Sequence, residues 1–313
     1  MASLRSQPVD EDPFQTISRK LTSRHCPGEF DVFYYPDMSS LDLAQINQAL
    51  REDPVSLGVM EEFRAMRPKF AIHLFETLDS TNSKLWRLLA AGASAGTVVI
   101  AEQQEAGRGQ WGRQWRSAIG GVYLSLAVEP DLAAANGLQL TLCTAWGIAI
   151  GLRNLGLPIQ LKWPNDLVID GRKLGGVLTE TRTGQAAITQ AVIGVGINWS
   201  NPTLDLEINL QSACEKYAAP ALTSLEKLIA VVLRGILQGH QFCRQIGFTA
   251  FVTAYEALLV NVGQVVQVDG RSGEVVGVTT QGALRVRLQP EDIDPTAVEI
   301  ELPPGAIALG YNV

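Results

Sequence analysis

Two stretches of this sequence bring positive charge and glycine together: GRGQWGRQW at residues 107–115 and LKWPNDLVIDGRKLGGVLTE at residues 161–180. In the first, Gly107, Gly109 and Gly112 spell G-x-G-x-x-G with Arg108 and Arg113 interleaved. Glycines allow backbone N–H groups to approach an anion, and guanidiniums clamp phosphate or carboxylate through paired hydrogen bonds. The pattern suits a phosphate-bearing ligand, although a surface turn with solvated arginines suits it too. In the second stretch, Pro164 forces an exit from the strand IQLKW, Asn165 and Asp166 fit the turn that follows, and Asp170-Gly171 marks a tight hairpin. Lys162 and Lys173 thus fall on two strands. Turn residues and solvated lysines explain these positions as well, but Gly175-Gly176 lies inside a strand, where glycine is unfavourable unless a ligand or another backbone comes close. VIGVGINW repeats that oddity with Gly194 and Gly196, as if small residues line a pocket.

The elements that would position these residues are legible from periodicity. DSTNSKLWRLLAAG opens on the cap candidates Asp79, Ser80 and Thr81, places Leu85, Leu88 and Leu89 on one helix face, and stops at Gly92. GTVVIAEQQ reads as a buried strand and GGVYLSLAVE as another, with Val122, Leu124, Leu126 and Val128 alternating against Tyr123, Ser125 and Ala127. The glycine loop therefore lies between two strands. A dinucleotide fingerprint needs a helix directly after its glycines, so that reading fails. A kinase loop does sit between strands, but H-R-D and D-F-G are absent from the sequence, as is a Walker loop. From FAIHLFETLDSTN to about Leu259, strand and helix character alternates as an α/β or α+β domain requires. Beyond it QVVQV, GEVVGV, ALRVRL and AVEIEL, separated by Asp269-Gly270, Gln281-Gly282 and Pro303-Pro304, suit a small β-barrel. Residues 1–68 are proline-rich with one weak helix at SLDLAQINQALRED, and read as an accessory extension.

Composition sets the outer limits. With 46% hydrophobic and 18% charged residues over 313 positions, the chain suffices for one sizeable core and a smaller module. No run approaches the ~18 uninterrupted apolar residues of a membrane helix, and MASLRSQPVDEDPF lacks the apolar centre of a signal peptide. The expected location is cytoplasmic, with no membrane association. Cys26, Cys143, Cys214 and Cys243 are scattered without a C-x-x-C pair, so free thiols are expected rather than disulfides or zinc. A net charge of −7 argues against a nucleic-acid surface spread over the whole molecule. His25, His73 and His240 show no metal-ligand spacing.

ETLDSTN, AEQQEAGRGQWGRQW, KWPNDLVIDGRKLGGVLTE and VIGVGINW, in that order and spacing, closely resemble the biotin–protein ligases, also called biotin–[acetyl-CoA-carboxylase] ligases. The resemblance implies an α+β fold, with a mixed β-sheet catalytic domain related to class II synthetases over residues 69–259 and a small SH3-like β-barrel over residues 260–313. Residues 1–68 stay outside it, as an extension of unassigned role. It also implies an enzyme that condenses biotin with ATP to biotinyl-5′-AMP, with Mg2+ as cofactor. Biotin then passes to a lysine of the biotin carboxyl carrier protein of acetyl-CoA carboxylase; a homodimer is left open.

Carried over residue by residue, the resemblance makes Arg108, Lys162, Asp166 and Lys173 the catalytic set. Arg108 and Lys173 face the biotin carboxylate and α-phosphate, while Arg113 and Lys162 lie towards the nucleotide. Asn165 and Asp166 hold phosphates and Mg2+, with Asp166 the metal ligand, and Asn198 lies near the nucleotide. Trp115, in preference to Trp111, covers the adenine. Ser80, Thr81 and Asn82 meet the ureido group with Gln104 beside it, although helix capping explains Ser80 and Thr81 equally well. Gly176 and Gly196 line the biotin pocket, and Gly109 and Gln110 complete it. Gln110 stands where many relatives carry a third arginine, so this loop has one positive charge fewer. Lipoate–protein ligases share the fold and the adenylate chemistry but not these motifs. Octanoyltransferases need a cysteine nucleophile, whereas Cys143 lies in the apolar LQLTLCTAWGIAI and reads as packing. A biotin-responsive repressor needs a basic recognition helix before residue 70, where acidic residues outnumber basic ones.

Overall fold

The computed structural model describes residues 41–290 and 298–310; the readings that rest on residues 1–40, including His25 and Cys26, lie outside the described residues. In chain order the elements are α1 (Leu43–Ala49), β1 (Ala71–Leu78), α2 (Thr81–Ala90), β2 (Thr97–Gln104), β3 (Gly121–Val128), α3 (Gly137–Asn154), β4 (Gln160–Lys162), β5 (Asp166–Ile169), β6 (Arg172–Gly184) and β7 (Ala187–Asn198). They continue with α4 (Leu210–Lys216), α5 (Leu225–Ile246), α6 (Phe248–Glu256), β8 (Val265–Val268), β9 (Arg271–Val278), β10 (Leu284–Leu288) and β11 (Glu299–Leu302). Strands β1–β7 form one sheet in the order β1-β2-β3-β7-β6-β5-β4. Only the β1–β2 pair is parallel, so the sheet is mixed, as an α+β fold requires.

The two faces of this sheet are occupied by different elements, and the strand period of two sorts residues between them. Val98, Ile100, Val122, Leu124, Leu126, Ile193, Val195 and Ile197 join the main core with the apolar residues of α3 and α5. Val99, Ala127 and Val192 point the other way and pack under Leu85 and Leu89 of α2. Strand β3 is buried on both faces almost throughout, rather than half-solvated as its alternation alone suggests. The segment Ala134–Asn154, which includes α3, is apolar enough by composition to span a membrane; 67% of its apolar window is buried, which marks a core helix. Its close crossing with α5 rests on small residues, since a Cβ at Gly239 would fall 2.1 Å from the Cys143 carbonyl oxygen.

Residues 41–63 add to this same core. Leu41, Ile46, Ala49, Leu57, Val59 and Phe63 are all buried in it. The Leu41 N–H donates to Glu102 Oε1 at 2.9 Å and the Met60 N–H to Gln238 Oε1 at 2.9 Å, fastening the segment to β2 and α5.

Strands β8–β11 form a separate antiparallel meander, consistent with a small SH3-like domain. Asp269 and Gly270 take positive φ at the β8–β9 turn, which is why Asp-Gly was a readable turn signal. The segment leading into this sheet is tied to the edge strand β4: the Leu161 N–H donates to the Leu258 carbonyl and the Val260 N–H to the Leu161 carbonyl, each at 2.8 Å. Trp163 then donates its indole N–H to the Gly282 carbonyl at 2.9 Å. The small sheet therefore fixes the strand that carries Lys162.

His240 on α5 faces α3, with its Nε2 2.8 Å from Thr144 Oγ1, and burial lowers its pKa from 6.5 to about 4. The folded state thus resists protonation that the unfolded chain accepts, so stability is full above pH 6.5 and declines as pH falls towards 4. Urea unfolding at pH 7 and pH 4.5 should show wild type losing up to about 3 kcal/mol more than His240→Gln. Equal losses in the two proteins would remove His240 from the acid response.

Candidate active site

The alternation of β7 makes the floor of the main cavity. Ile193, Val195 and Ile197 go down into the core, so Gly194, Gly196 and Asn198 face up. Across the ladder Gly176 lies opposite Gly196, and Ser125 opposite Gly194. Without side chains at these positions the sheet surface is recessed. Over it lies a cavity of about 440 Å3. Its lining includes all the residues singled out from the sequence: Ser80, Thr81, Asn82, Gln104, Arg108, Gly109, Gln110, Arg113, Trp115, Lys162, Asn165, Asp166, Lys173, Gly176, Gly196 and Asn198.

One end of the cavity is neutral and hydrogen-bonding. Ser80 holds the N-cap position of α2 but its side chain makes no capping bond, and Thr81 and Asn82 turn inward instead. The Thr81 N–H donates to Gln104 Oε1 at 2.9 Å, and Gln104 Nε2 donates to Ser117 Oγ at 2.7 Å. Buried Ser125 lies 2.8 Å from Thr81 Oγ1 and 2.6 Å from Asn82 Oδ1. The capping reading of Ser80 and Thr81 therefore loses to one in which they serve the cavity.

The other end is cationic. In the β4–β5 register Lys162 lies opposite Asp166, and Asp166 opposite Gly176. Lys173 Nζ is 2.6 Å from Asp166 Oδ1, and a Cβ at Gly176 would press to 3.2 Å from that same oxygen. Lys162 is 6% exposed, and burial above all lowers its pKa from 10.5 to about 8; Asp166 opposes that shift, while Lys173 and Arg113 add to it. Asn165 is committed to the backbone, donating from Nδ2 to the Val177 carbonyl at 2.8 Å, so it shapes the turn. Asn198 Oδ1 likewise accepts from Asn201 Nδ2 at 2.8 Å. Among the described residues no group of three or more His, Cys, Asp or Glu is arranged to hold a metal ion. Asp166 is a single carboxylate already paired with Lys173, which fits a divalent cation only if that ion brings phosphate oxygens as its other ligands.

The glycine loop closes back on itself as a short irregular hairpin. Gly109 N–H donates to the Arg113 carbonyl at 2.7 Å and Trp115 N–H to the Gly107 carbonyl at 2.9 Å. Gly107 is obligatory there, since a Cβ would sit 2.4 Å from the Trp115 carbonyl oxygen. This hairpin drops Trp115 onto the floor: its indole covers Gly196, whose Cβ would lie 2.5 Å from Nε1, and Lys173 Nζ stands 5.2 Å from the ring centroid. The buried Nε1–H has no acceptor among the described residues. Arg108 lines the same cavity, with its guanidinium paired to Glu180 at 2.9 Å. Trp111, 62% exposed, packs beside Gly305.

Sequence reasoning missed three contributors. Glu180 follows Gly176 and Leu178 at alternate positions of β6, a spacing that reveals its shared face in retrospect. Ser125 is fully buried between apolar neighbours of β3, which marks it as a polar residue with a task. The segment Gly305, Ala306, Ile307, Ala308 and Leu309 forms part of the cavity wall, and no local pattern announces that.

Residues 74–198 match the model of the biotin/lipoate A/B protein ligase family. The chain is 31% identical over 244 residues to the bifunctional ligase/repressor BirA of Escherichia coli (strain K12), covering 74% of each chain. It is 32% identical over 213 residues to the biotin–[acetyl-CoA-carboxylase] ligase of Mycobacterium tuberculosis, covering 64% of this chain and 75% of that one. Among solved structures, the biotin protein ligase from Aquifex aeolicus in complex with biotin and ATP has the same fold, with a TM-score of 0.61 at 24% identity over 77% of this chain and 99% of that one.

The floor makes a testable demand. A Cβ at Gly194 would fall 2.3 Å from Asn82 Oδ1, an amide held in place by its bonds to Ser125 and Glu180. Gly194→Ala should therefore destabilise the fold by roughly 1–3 kcal/mol through overpacking. Urea denaturation with an unchanged m-value checks this, and a midpoint equal to wild type would show that the floor can yield.

Proposed function

The chain belongs to the biotin/lipoate A/B protein ligase family, among its biotin protein ligases, and from that premise we propose an ATP-dependent enzyme that attaches biotin to a lysine of a biotin carboxyl carrier protein. The observation that carries this reading is the polarity of the cavity. A neutral end with Ser80, Thr81, Asn82 and Gln104, backed by the buried Ser125, suits a urea ring, and a cationic end with Lys162, Lys173 and Arg113 suits a carboxylate beside a phosphate. The valeryl chain of biotin spans the two over the glycine floor, where side chains would block it.

In the first step the biotin carboxylate attacks the α-phosphorus of ATP, forming biotinyl-5′-AMP and releasing pyrophosphate. Two anions must approach, so cations fixed in advance offset the repulsion and stabilise the charge that gathers on the phosphoryl oxygens. Lys173 is held ready by Asp166 at 2.6 Å, and Lys162 projects from β4 beside it. Burial strengthens what each cation does, because little water competes. Asp166, with the nucleotide phosphates, would hold Mg2+, whose charge neutralises phosphate oxygens when bound. The Trp115 indole N–H offers a further donor to the acyl or phosphoryl oxygens. In the second step a carrier lysine amine attacks the mixed anhydride and AMP leaves. Trp115, Asn165 and Asn198 complete the nucleotide side of this proposal, and Gly109 and Gln110 the biotin side.

The repressor half of the BirA name is not carried over, because acidic residues outnumber basic ones in residues 1–68. A cytoplasmic location accords with the free thiols at Cys143, Cys214 and Cys243.

Incubation with ATP, Mg2+, biotin and a biotin-carrier domain should add one biotinyl group to one lysine by intact mass, strictly dependent on ATP. Transfer of lipoyl instead, or no transfer, would overturn the reading. Lys173→Ala should slow adenylate formation roughly 100-fold or more in a pyrophosphate-release assay while the protein melts near wild type. An unchanged adenylation rate would remove Lys173 from the chemistry.

A further inference from the structure

Glu180, at the far end of the β6 face that carries Gly176, accepts three hydrogen bonds on a single oxygen. Asn82 Nδ2 donates to Oε2 at 3.0 Å, Trp86 Nε1 at 3.1 Å and an Arg108 terminal nitrogen at 2.9 Å. Asn82 and Trp86 are one helical turn apart on α2, so both reach the same carboxylate, while Arg108 comes from the glycine loop. None of the roles derived above needs Glu180. We infer that Glu180 is a positioning residue that sets the hydrogen-bond direction of the ring-end pocket and tethers the glycine loop to it.

The direction follows from what each group can do. A carboxylate only accepts, so Asn82 must turn its NH2 towards Glu180 and its Oδ1 away. That oxygen has no proton, and Ser125 Oγ lies 2.6 Å from it, so the single Ser125 hydroxyl hydrogen goes there. Ser125 then has none left for Thr81 Oγ1, 2.8 Å away, and the one Thr81 hydroxyl hydrogen goes to Ser125 Oγ or to Gln104 Oε1, 3.2 Å away, so it is spent inside the protein either way. The Thr81 hydroxyl is thereby left with lone pairs facing the cavity. It accepts from a ligand N–H and cannot donate to a ligand carbonyl. A ureido ring carries two N–H donors, so the chain from Glu180 to Thr81 selects it over an acyl chain that ends in hydrocarbon. This deepens the biotin reading and rests on it.

The same carboxylate gives the loop its place. Arg108 is the loop's ionic link to the sheet, and its pairing with Glu180 brings the hairpin down so that Trp115 covers Gly196. One acidic side chain thus coordinates the pocket for the ring and the cover over the reacting end.

Glu180→Gln keeps the shape but offers Asn82 a donor as well as an acceptor, and it removes the charge that holds Arg108. Calorimetric titration of biotin into the full chain without ATP should show binding weakened ~10- to 100-fold, the range for a lost hydrogen bond to a charged group. The KM for ATP should rise less than the Kd for biotin, because only the Trp115 cover reaches the nucleotide side, and the melting temperature should stay near wild type, a split that a merely structural role would not produce. Should Glu180→Gln fail to fold, Ser125→Ala interrupts the same chain and should give the same biotin-specific loss. Biotin binding equal to wild type in the folded variant, or equal losses for biotin and ATP, would overturn the assignment. A wild-type protein that binds no biotin at all would instead overturn the biotin reading beneath it.

Discussion

Everything at the centre of this protein depends on one constraint: β7 must be a core strand on one side and an open floor on the other. Its period of two delivers both, with Ile193, Val195 and Ile197 buried against α3 and α5 and Gly194 and Gly196 facing the cavity. Glycine weakens a strand, so this arrangement costs local stability. The cost is offset because β7 pairs along its length with β3 and β6, both long and well bonded. The floor is therefore rigid although it carries no side chains, and the groups around it are referenced to a surface that does not move.

Charge at the cationic end is arranged by the same register. Lys162, Asp166 and Lys173 lie on three adjacent strands, and the ladder that pairs Lys162 with Asp166 and Asp166 with Gly176 spaces them. Like charges crowded in a buried place repel, which is why Lys162 feels Lys173 and Arg113 as well as its own desolvation. Asp166 tempers that repulsion.

Much of this was legible in the sequence because the informative residues broke local rules. Gly176, Gly194 and Gly196 in strands and the arginines between loop glycines pointed to a pocket and line the cavity, while Asp170-Gly171 marked the hairpin that carries Lys173. What escaped notice was long-range. Glu180 is an ordinary strand residue until Asn82, Trp86 and Arg108 arrive from two other elements. The packing of Leu41, Ile46 and Phe63 into the main core could not be read from a proline-rich stretch with one weak helix, since its slots are built by α3 and α5 far along the chain. Arg108 was expected to serve an anion directly, and only the folded position of Glu180 shows where its guanidinium goes.

The wall contributed by Gly305–Leu309 has a consequence for how the protein is born. Chains fold as they leave the ribosome, N-terminal parts first. The β7 floor and the glycine loop are made well before residues 305–309. The cavity is finished only when the small β8–β11 sheet has formed and laid that segment against the loop beside Trp111. A nascent chain thus exposes an unfinished pocket until residues 305–309 have been made and seated against the loop.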